Sequence, residues 1–152
     1  MKELVTTVDV DAPAAVLWDV LTDLDSYPEW NRHSRVTGSL AVGERLRVEP
    51  GPDAGRMPTF RPTVVELDEG REFAWLGHLF VRGLFDGEHR FVVDDLGDGR
   101  SRITQSERFS GLLAGLLLRF VGDDTASNFR AVNESARVRA ESLAASATAT
   151  AR

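Results

Sequence analysis

The sequence predicts an α+β fold in which a curved antiparallel sheet wraps around a long C-terminal helix. The first observation is that apolar residues between positions 110 and 143 recur three and four apart, which is one face of a helix. The second is that residues 72–109 contain short runs of alternating apolar and polar side chains around a turn at Gly97-Asp98-Gly99. A long helix with one apolar face needs a partner that buries it, and the strands supply that partner.

Two short helices are predicted directly after the first strand. Residues 2–11 form that strand, because Leu4, Thr6, Val8 and Val10 alternate along one side. The following Asp11-Ala12-Pro13 predicts the start of a helix, with Asp11 as the N-cap residue and proline in the first turn. Residues 23–30 predict a break and then a second short helix that ends near Trp30.

The rest of the sheet is predicted from a run of five or six strands. Pro62 marks its strand as an edge or the site of a bulge, because proline cannot donate a ladder hydrogen bond. Gly97-Asp98-Gly99 predicts a hairpin, so neighbouring strands run antiparallel. The candidate strands are residues 35–40, 44–49, 59–67, 72–80, 87–94 and 101–109.

The C-terminal segment is predicted as two helical stretches with a break at Gly122. The first stretch carries the apolar residues Leu112, Leu113, Leu116, Leu117, Phe120 and Val121. Asp123, Asp124 and Thr125 would supply N-cap oxygens for the second. The face predicted to pack on the sheet contains Phe129, Val132, Ala136, Ala140 and Leu143.

Alternation along two strands places polar side chains on the buried face of the sheet. In one strand Phe85, Gly87, His89, Phe91 and Val93 share that face, and in the next Ile103, Gln105, Glu107 and Phe109 share it. Trp75 is predicted to point inward as well. His89 and Glu107 are about equally far from the hairpin turn, so they are predicted to be cross-strand neighbours.

Length, composition and charge exclude several classes of function. The 152 residues suit one domain, predicted over residues 1–146, with a disordered tail at 147–152. A net charge of −6 without a basic stripe argues against nucleic acid as a partner. No apolar run is long enough to span a membrane, and no signal peptide is visible, so we expect a cytoplasmic protein. Cysteine is absent and the three histidines are scattered, so neither a metal nor another cofactor is predicted.

Three stretches of the sequence carry a resemblance to a known superfamily. The first is Val10-Asp11-Ala12-Pro13, followed by Val16 and Trp18. The second is Asp23-Leu24-Asp25-Ser26-Tyr27-Pro28-Glu29-Trp30-Asn31. The third is Glu72-Phe73-Ala74-Trp75, leading to Phe85-Asp86-Gly87-Glu88-His89-Arg90-Phe91. With these stretches the chain resembles the SRPBCC, or START-like, superfamily, which includes the Bet v 1-like proteins and polyketide cyclase/dehydrase relatives.

The resemblance implies the helix-grip fold, in which a curved sheet grips the C-terminal helix around a hydrophobic cavity. Members of the superfamily bind lipids, sterols, polyketides and other apolar ligands, and some are cyclases or dehydratases. It also implies that Tyr27 and Trp30 could gate the mouth of the cavity. Both could equally form a small apolar patch that seals the short helices onto the sheet.

The candidate site combines the inward polar groups with aromatic residues. A buried imidazole beside a carboxylate could serve as a general acid or base, so His89 and Glu107 are the catalytic candidates. The alternative is that the two only satisfy each other's hydrogen bonds, and that the aromatic set is ordinary core. The predicted ligand-binding residues are Trp30, Phe73, Trp75, Phe85, His89, Phe91, Gln105, Glu107, Phe129 and Val132.

Three functions remain open at this level. The first, which we favour, is binding of a hydrophobic small molecule, lipid- or polyketide-like, in an internal cavity. The second is a polyketide cyclase, aromatase or dehydratase that uses the polar cavity residues as acid and base. The third is an interaction protein, which an exposed apolar face between Leu112 and Val121 would favour. The sequence leaves the oligomeric state open, with a dimer as one alternative.

Overall fold

The computed structural model describes residues 2–150, without the side chain of Val121. Seven strands and three helices follow one another in the predicted order, with one turn of 3₁₀ helix at Leu24–Ser26. The strands are β1 (Lys2–Val10), β2 (Ser34–Thr37), β3 (Arg47–Pro50), β4 (Thr63–Asp68), β5 (Glu72–His78), β6 (Asp86–Gly97) and β7 (Arg100–Ser110). The helices are α1 (Ala14–Thr22), α2 (Tyr27–Trp30) and α3 (Ala114–Thr150).

Five of the strands form one curved antiparallel sheet, and α3 packs against it, as predicted. The strand order is β1-β7-β6-β5-β4, so β1 joins the last strand of the chain and β4 forms the opposite edge. The predicted edge position next to Pro62 is therefore confirmed. β2 and β3 form a separate two-stranded sheet, which touches the region before β4 through a bridge between Val48 and Phe60.

α1 begins differently from the prediction, because Pro13 rather than Asp11 occupies the N-cap position. The backbone of Asp11 still belongs to the chain leaving β1, two residues too early to reach the first free N–H groups of the helix. Its carboxylate accepts a hydrogen bond from Arg100 Nε at 2.9 Å instead, and its own N–H donates to Glu141 Oε1 at 3.0 Å. Asp11 thus ties the end of β1 to β7 and α3.

The predicted break at Gly122 is wrong, since α3 is continuous from Ala114 to Thr150. A single glycine inside a helix costs about 1 kcal/mol, and the uninterrupted hydrogen bonds on both sides of it offset that cost. At its C-terminal end α3 continues through positions 147–150, where a disordered tail is predicted, and Thr148 Oγ1 donates to the carbonyl of Ala144. Residues 151 and 152 of that predicted tail lie outside the described residues.

The apolar face of α3 is buried along its middle only. Phe129, Val132, Ala136 and Ala140 are enclosed by the sheet and α1, whereas Leu143, predicted on the same face, is exposed. The first turns of α3 and the turn before them are different, because Leu112, Leu116 and Phe120 lie in solvent. The main core lies between the sheet, α1 and the middle of α3, and a smaller apolar cluster around Phe85, Phe109 and Ala114 closes the other end.

Candidate functional site

His89 and Glu107 are directly opposite each other on β6 and β7. The hairpin turn sets this register, with Gly97, Asp98 and Gly99 all at positive φ, which glycine adopts freely and aspartate tolerates. His89 Nδ1 lies 3.2 Å from Glu107 Oε2, and the two side chains are 11% and 20% exposed. The strand pairing therefore places an imidazole and a carboxylate together on the inner face of the sheet.

The contact with Glu107 determines what the second nitrogen of His89 can do. A carboxylate accepts hydrogen bonds, so Nδ1 carries a proton and donates a hydrogen bond to Glu107. In the neutral imidazole, Nε2 is then the acceptor, and in the imidazolium it is a second donor. Nε2 is buried and has no hydrogen-bond partner among the described residues. The pair thus presents one polar atom, held in orientation by Glu107, to the interior of the protein.

Aromatic rings surround His89 on three sides. Trp75, its cross-strand neighbour on β5, stacks on the imidazole with ring centroids 5.2 Å apart. Phe91 lies 4.8 Å away on the same strand, and Phe129 of α3 approaches edge-on at 4.9 Å. Phe73 extends the set through contacts with Trp75 and Phe91. Phe73, Trp75 and Phe91 also contact one another, so aromatic rings occupy part of the region where the sequence predicts an internal cavity.

Two open clefts lie elsewhere on the molecule. The larger, of about 400 Å³, lies between α1, the end of α2 and the C-terminal half of α3, and Trp30, Arg139 and Leu143 contribute to its walls. A smaller one of about 180 Å³ lies beside Leu24 and Leu40. Neither is lined by His89 or Glu107. An apolar molecule would reach His89 only if one of the surrounding rings moved.

Two of the predicted ligand-binding residues lie away from His89. Trp30 packs edge-on against Tyr27 at 4.9 Å and lines the larger surface cleft. Phe85 stacks on Phe109 at 5.5 Å in the separate cluster at the other end of the sheet. Val132 is buried on the inner face of α3. Alternation gives the face of a strand but not the position along the sheet, which is why Phe85 and Phe91 appear equivalent in the sequence.

Gln105, the other inward polar residue, belongs to a closed hydrogen-bond network. Its Nε2 donates to Asn133 Oδ1 at 3.1 Å, and Asn133 Nδ2 donates to Thr6 Oγ1 at 2.8 Å. Thr6 Oγ1 donates in turn to the backbone carbonyl of Gln105 at 3.4 Å. Sequence reasoning missed Asn133, although it lies four residues after Phe129 and therefore on the same helical face. The network joins β1, β7 and α3.

Gly87 provides the space that the Glu107 carboxylate occupies. A Cβ atom at position 87 would lie 2.6 Å from Glu107 Oε1, closer than a Cβ atom comes to an atom that is not bonded to it. Glu107 has a flexible side chain, so an added methyl group would displace the carboxylate rather than unfold the strand. Gly87 is therefore part of the arrangement that holds Glu107 against His89.

The close approach of position 87 to the Glu107 carboxylate can be tested by substitution. Gly87→Ala is expected to weaken the His89–Glu107 hydrogen bond, so the neutral imidazole no longer strongly favours the form protonated at Nδ1. Nitrogen-15 NMR of the histidine rings distinguishes the two tautomers. The control is Gly77→Ala on the paired position of β5, where a Cβ would make an ordinary 3.5 Å contact with Pro62. An unchanged tautomer ratio in Gly87→Ala would contradict the role given to Gly87.

The site does not resemble a metal centre. Within residues 2–150, no group of three or more histidine, aspartate or glutamate side chains is arranged to hold a metal ion. Across the same residues, no helix combines the length and apolar character needed to cross a bilayer. The chemistry that the site offers is hydrogen bonding and proton transfer at His89 Nε2, inside an aromatic wall.

Comparison with known families settles the classification. The model of the family described as polyketide cyclase / dehydrase and lipid transport matches residues 1–147. The chain belongs to this family. A comparison with curated proteins finds no match.

Solved structures share the fold at low sequence identity. A START superfamily protein from Mycobacterium smegmatis is 19% identical with a TM-score of 0.68, and the match covers 93% of this chain and 98% of that one. The Zhui aromatase/cyclase from Streptomyces sp. R1128 is 19% identical with a TM-score of 0.67, covering 91% and 94%. The di-domain ARO/CYC BexL of the BE-7585A biosynthetic pathway is 15% identical with a TM-score of 0.68. The match to BexL covers 89% of this chain but only 46% of that one. These likenesses confirm the helix-grip fold.

Proposed function

We propose that the protein binds a hydrophobic small molecule, lipid- or polyketide-like, between the sheet and α3 at His89. The observation that carries this proposal is the buried Nε2 of His89, which has no hydrogen-bond partner within residues 2–150 and lies inside a wall of aromatic rings. A mostly apolar site with one oriented polar group is the usual design for recognising a hydroxyl or carbonyl on an apolar ligand. The family description, which includes lipid transport, agrees with such a ligand.

Phe129 is the ring that we expect the ligand to displace. Trp75 on β5 and Phe91 on β6 are anchored in the sheet next to His89, whereas Phe129 reaches across from α3. A rotation of its side chain, or a small shift of α3, would open space directly at Nε2 without breaking strand pairing. Binding would then replace ring contacts with ligand contacts, and the ligand would gain the hydrogen bond that Nε2 lacks.

The alternative function is catalysis of cyclisation, aromatisation or dehydration of a polyketide-like substrate. The orientation of His89 by Glu107 favours it, because a fixed imidazole can take a proton at Nε2 and return it to a leaving hydroxyl group. Against it, the amides of Gln105 and Asn133 bond to each other and do not add a third polar group at Nε2. We therefore place binding first and catalysis second.

The test of binding uses an apolar fluorescent probe. We expect modest affinity, and displacement of the probe by flat polycyclic or long-chain compounds. His89→Ala is expected to change the ranking of competitors more than it changes the midpoint of urea denaturation. Phe120→Ala, which alters a solvent-exposed ring of the same helix, serves as the control. If no probe binds, or if Trp75→Ala and Phe129→Ala both leave its affinity unchanged, the proposal fails.

The catalytic alternative has a separate readout. A β-hydroxy ketone analogue of a polyketide would lose water to give a conjugated enone, which absorbs in the ultraviolet. Turnover by the unmutated protein that His89→Ala abolishes and Glu107→Gln reduces would support catalysis. Probe binding without turnover of such analogues would leave the protein as a binding module.

A further inference from the structure

Five large apolar side chains are exposed together at the end of the molecule where α3 begins. We name this the end patch, and its residues are between 55% and 89% exposed. Two belong to the loop between β5 and β6, one to the turn before α3 and two to the first turns of α3. They are Phe80, Val81, Leu112, Leu116 and Phe120.

Backbone hydrogen bonds hold the two parts of the end patch together. Leu112 N donates to the carbonyl of Gly83 at 3.2 Å, and Leu113 N donates to that of Leu84 at 2.9 Å. Leu116 and Phe120 are four residues apart on one face of α3, and Leu112 lies in the turn that leads into the helix. The backbone bonds therefore bring the loop and the start of α3 side by side at this end of the molecule.

The burial pattern shows that this surface is not an ordinary helix exterior. Leu117 and Leu118, on the other side of the same turns, pack against the cluster around Phe85 and Phe109. The start of α3 is therefore apolar on both its inner and outer sides, which suits a helix in an apolar environment rather than one at a water surface. Phe80 has a φ of 68°, a conformation that a bulky residue rarely adopts and that carries strain.

Two arginines supply the charge of the end patch. Arg82 lies beside Val81 in the loop and Arg119 beside Phe120 on α3, and both are exposed. Neither forms an ion pair with any other described residue. Exposed apolar side chains with arginines at their margin match a bilayer surface, where the chains enter the acyl region and guanidinium groups meet phosphates. Asp123 and Asp124 are exposed one turn after Phe120. Their carboxylates must stay in water, so the contact with the membrane would end before them.

We propose that the end patch docks the protein on the surface of a phospholipid membrane, a role beyond the binding of a small molecule at His89. The small size of the end patch favours a membrane over a protein as its partner. A standard protein interface engages about 20–30 residues on each side, and the end patch offers only five apolar side chains and two arginines. Insertion of a few side chains suffices for reversible attachment to a membrane, because each buried methylene group contributes separately.

The experiment measures flotation of the full chain with vesicles of phosphatidylcholine, alone or mixed with phosphatidylglycerol. The unmutated protein should bind both, and the mixture more tightly. The double variant L112E/F120E should bind at least about tenfold more weakly to both. The double variant R82E/R119E should lose the preference for phosphatidylglycerol. V138E, which changes an exposed apolar residue farther along α3, is the matched control and should bind normally.

Urea denaturation must show that all variants remain folded, which the exposure of these positions leads us to expect. The absence of vesicle binding by the unmutated protein, or equal binding by L112E/F120E, would overturn the proposal. So would a dimer, seen by light scattering in the absence of lipid, that L112E/F120E dissociates without any effect on vesicle binding. Probe binding at His89 is expected to be unchanged in the end-patch variants, so the two proposals can fail separately.

Discussion

Replacement of Phe129 by alanine is expected to lower the free energy of unfolding by about 3–5 kcal/mol. The side chain is 8% exposed and its ring fills the space between α3 and His89. Alanine would remove the buried apolar surface and leave a void that the sheet cannot collapse to fill. Urea denaturation followed by circular dichroism measures the change.

The control for Phe129→Ala is the same substitution at Phe120, two and a half helical turns earlier. Phe120 is 78% exposed, so its replacement should change the free energy of unfolding by no more than about 0.5 kcal/mol. Similar small effects at both positions would show that Phe129 is not part of the core and would remove the basis for placing a ligand there.

The void in the Phe129→Ala variant also offers a direct test of His89 Nε2. Benzene and phenol are small enough to occupy the space of the lost ring, and either would raise the stability of the variant by binding only to the folded state. Phenol should stabilise it more than benzene, because its hydroxyl group can bond to Nε2. Equal stabilisation by the two would indicate that Nε2 is not accessible to a bound molecule.

Replacement of Asn133 by leucine is expected to destabilise the protein by about 1–3 kcal/mol for each buried polar group that loses its hydrogen-bond partner. Leucine has the same branching and number of side-chain heavy atoms as asparagine but cannot accept the hydrogen bond of Gln105 or donate to Thr6. Gln105 is fully buried and Thr6 half-buried, so water cannot replace Asn133 at the Gln105 amide. Thermal or urea unfolding measures the loss.

A double-mutant cycle separates the hydrogen bond from packing. The double variant Gln105→Leu/Asn133→Leu should lose less free energy of unfolding than the sum of the two single variants. Each single variant leaves one buried amide without its partner, whereas the double variant removes both amides. Asn128→Leu on the same helix is the control, because its bond to the carbonyl of Ala54 is only partly buried and should contribute less. Strict additivity of Gln105→Leu and Asn133→Leu would mean that the two amides are energetically independent.

The parts of the fold that depend on period and turn chemistry could be predicted from the sequence. The alternation around His89 and Glu107, together with a glycine-containing turn, fixed both the face and the register of β6 and β7. The length of α3 was harder to predict, because a glycine at 122 followed by two aspartates is typical of the end of one helix and the start of another. Local preferences of about 1 kcal/mol are outweighed when the helix continues on both sides.

The remaining features of the site depend on contacts between distant segments. No spacing in the sequence shows that Phe129 reaches His89, or that Trp30 lies in a cleft on the other side of α1. Asn133 could have been found from its place on the buried face of α3, but an amide among apolar residues interrupts the pattern that defines such a face. Whether rings enclose a space or fill it depends on their rotamers, which the sequence does not encode locally.

The pairing of β1 with β7 has a consequence for how the chain folds. Lys2 pairs with Phe109, so within residues 2–150 β1 finds its strand partner about a hundred residues later. The hairpin of β6 and β7 can form from neighbouring residues, whereas β1 must wait, with Leu4, Val8 and Val10 unpaired, until β7 has left the ribosome. Contacts that close such long loops slow folding, and waiting apolar strands are prone to aggregate. Attachment of β1 is therefore expected to be a late step, and a chaperone that shields the N-terminal residues would increase the yield of folded protein.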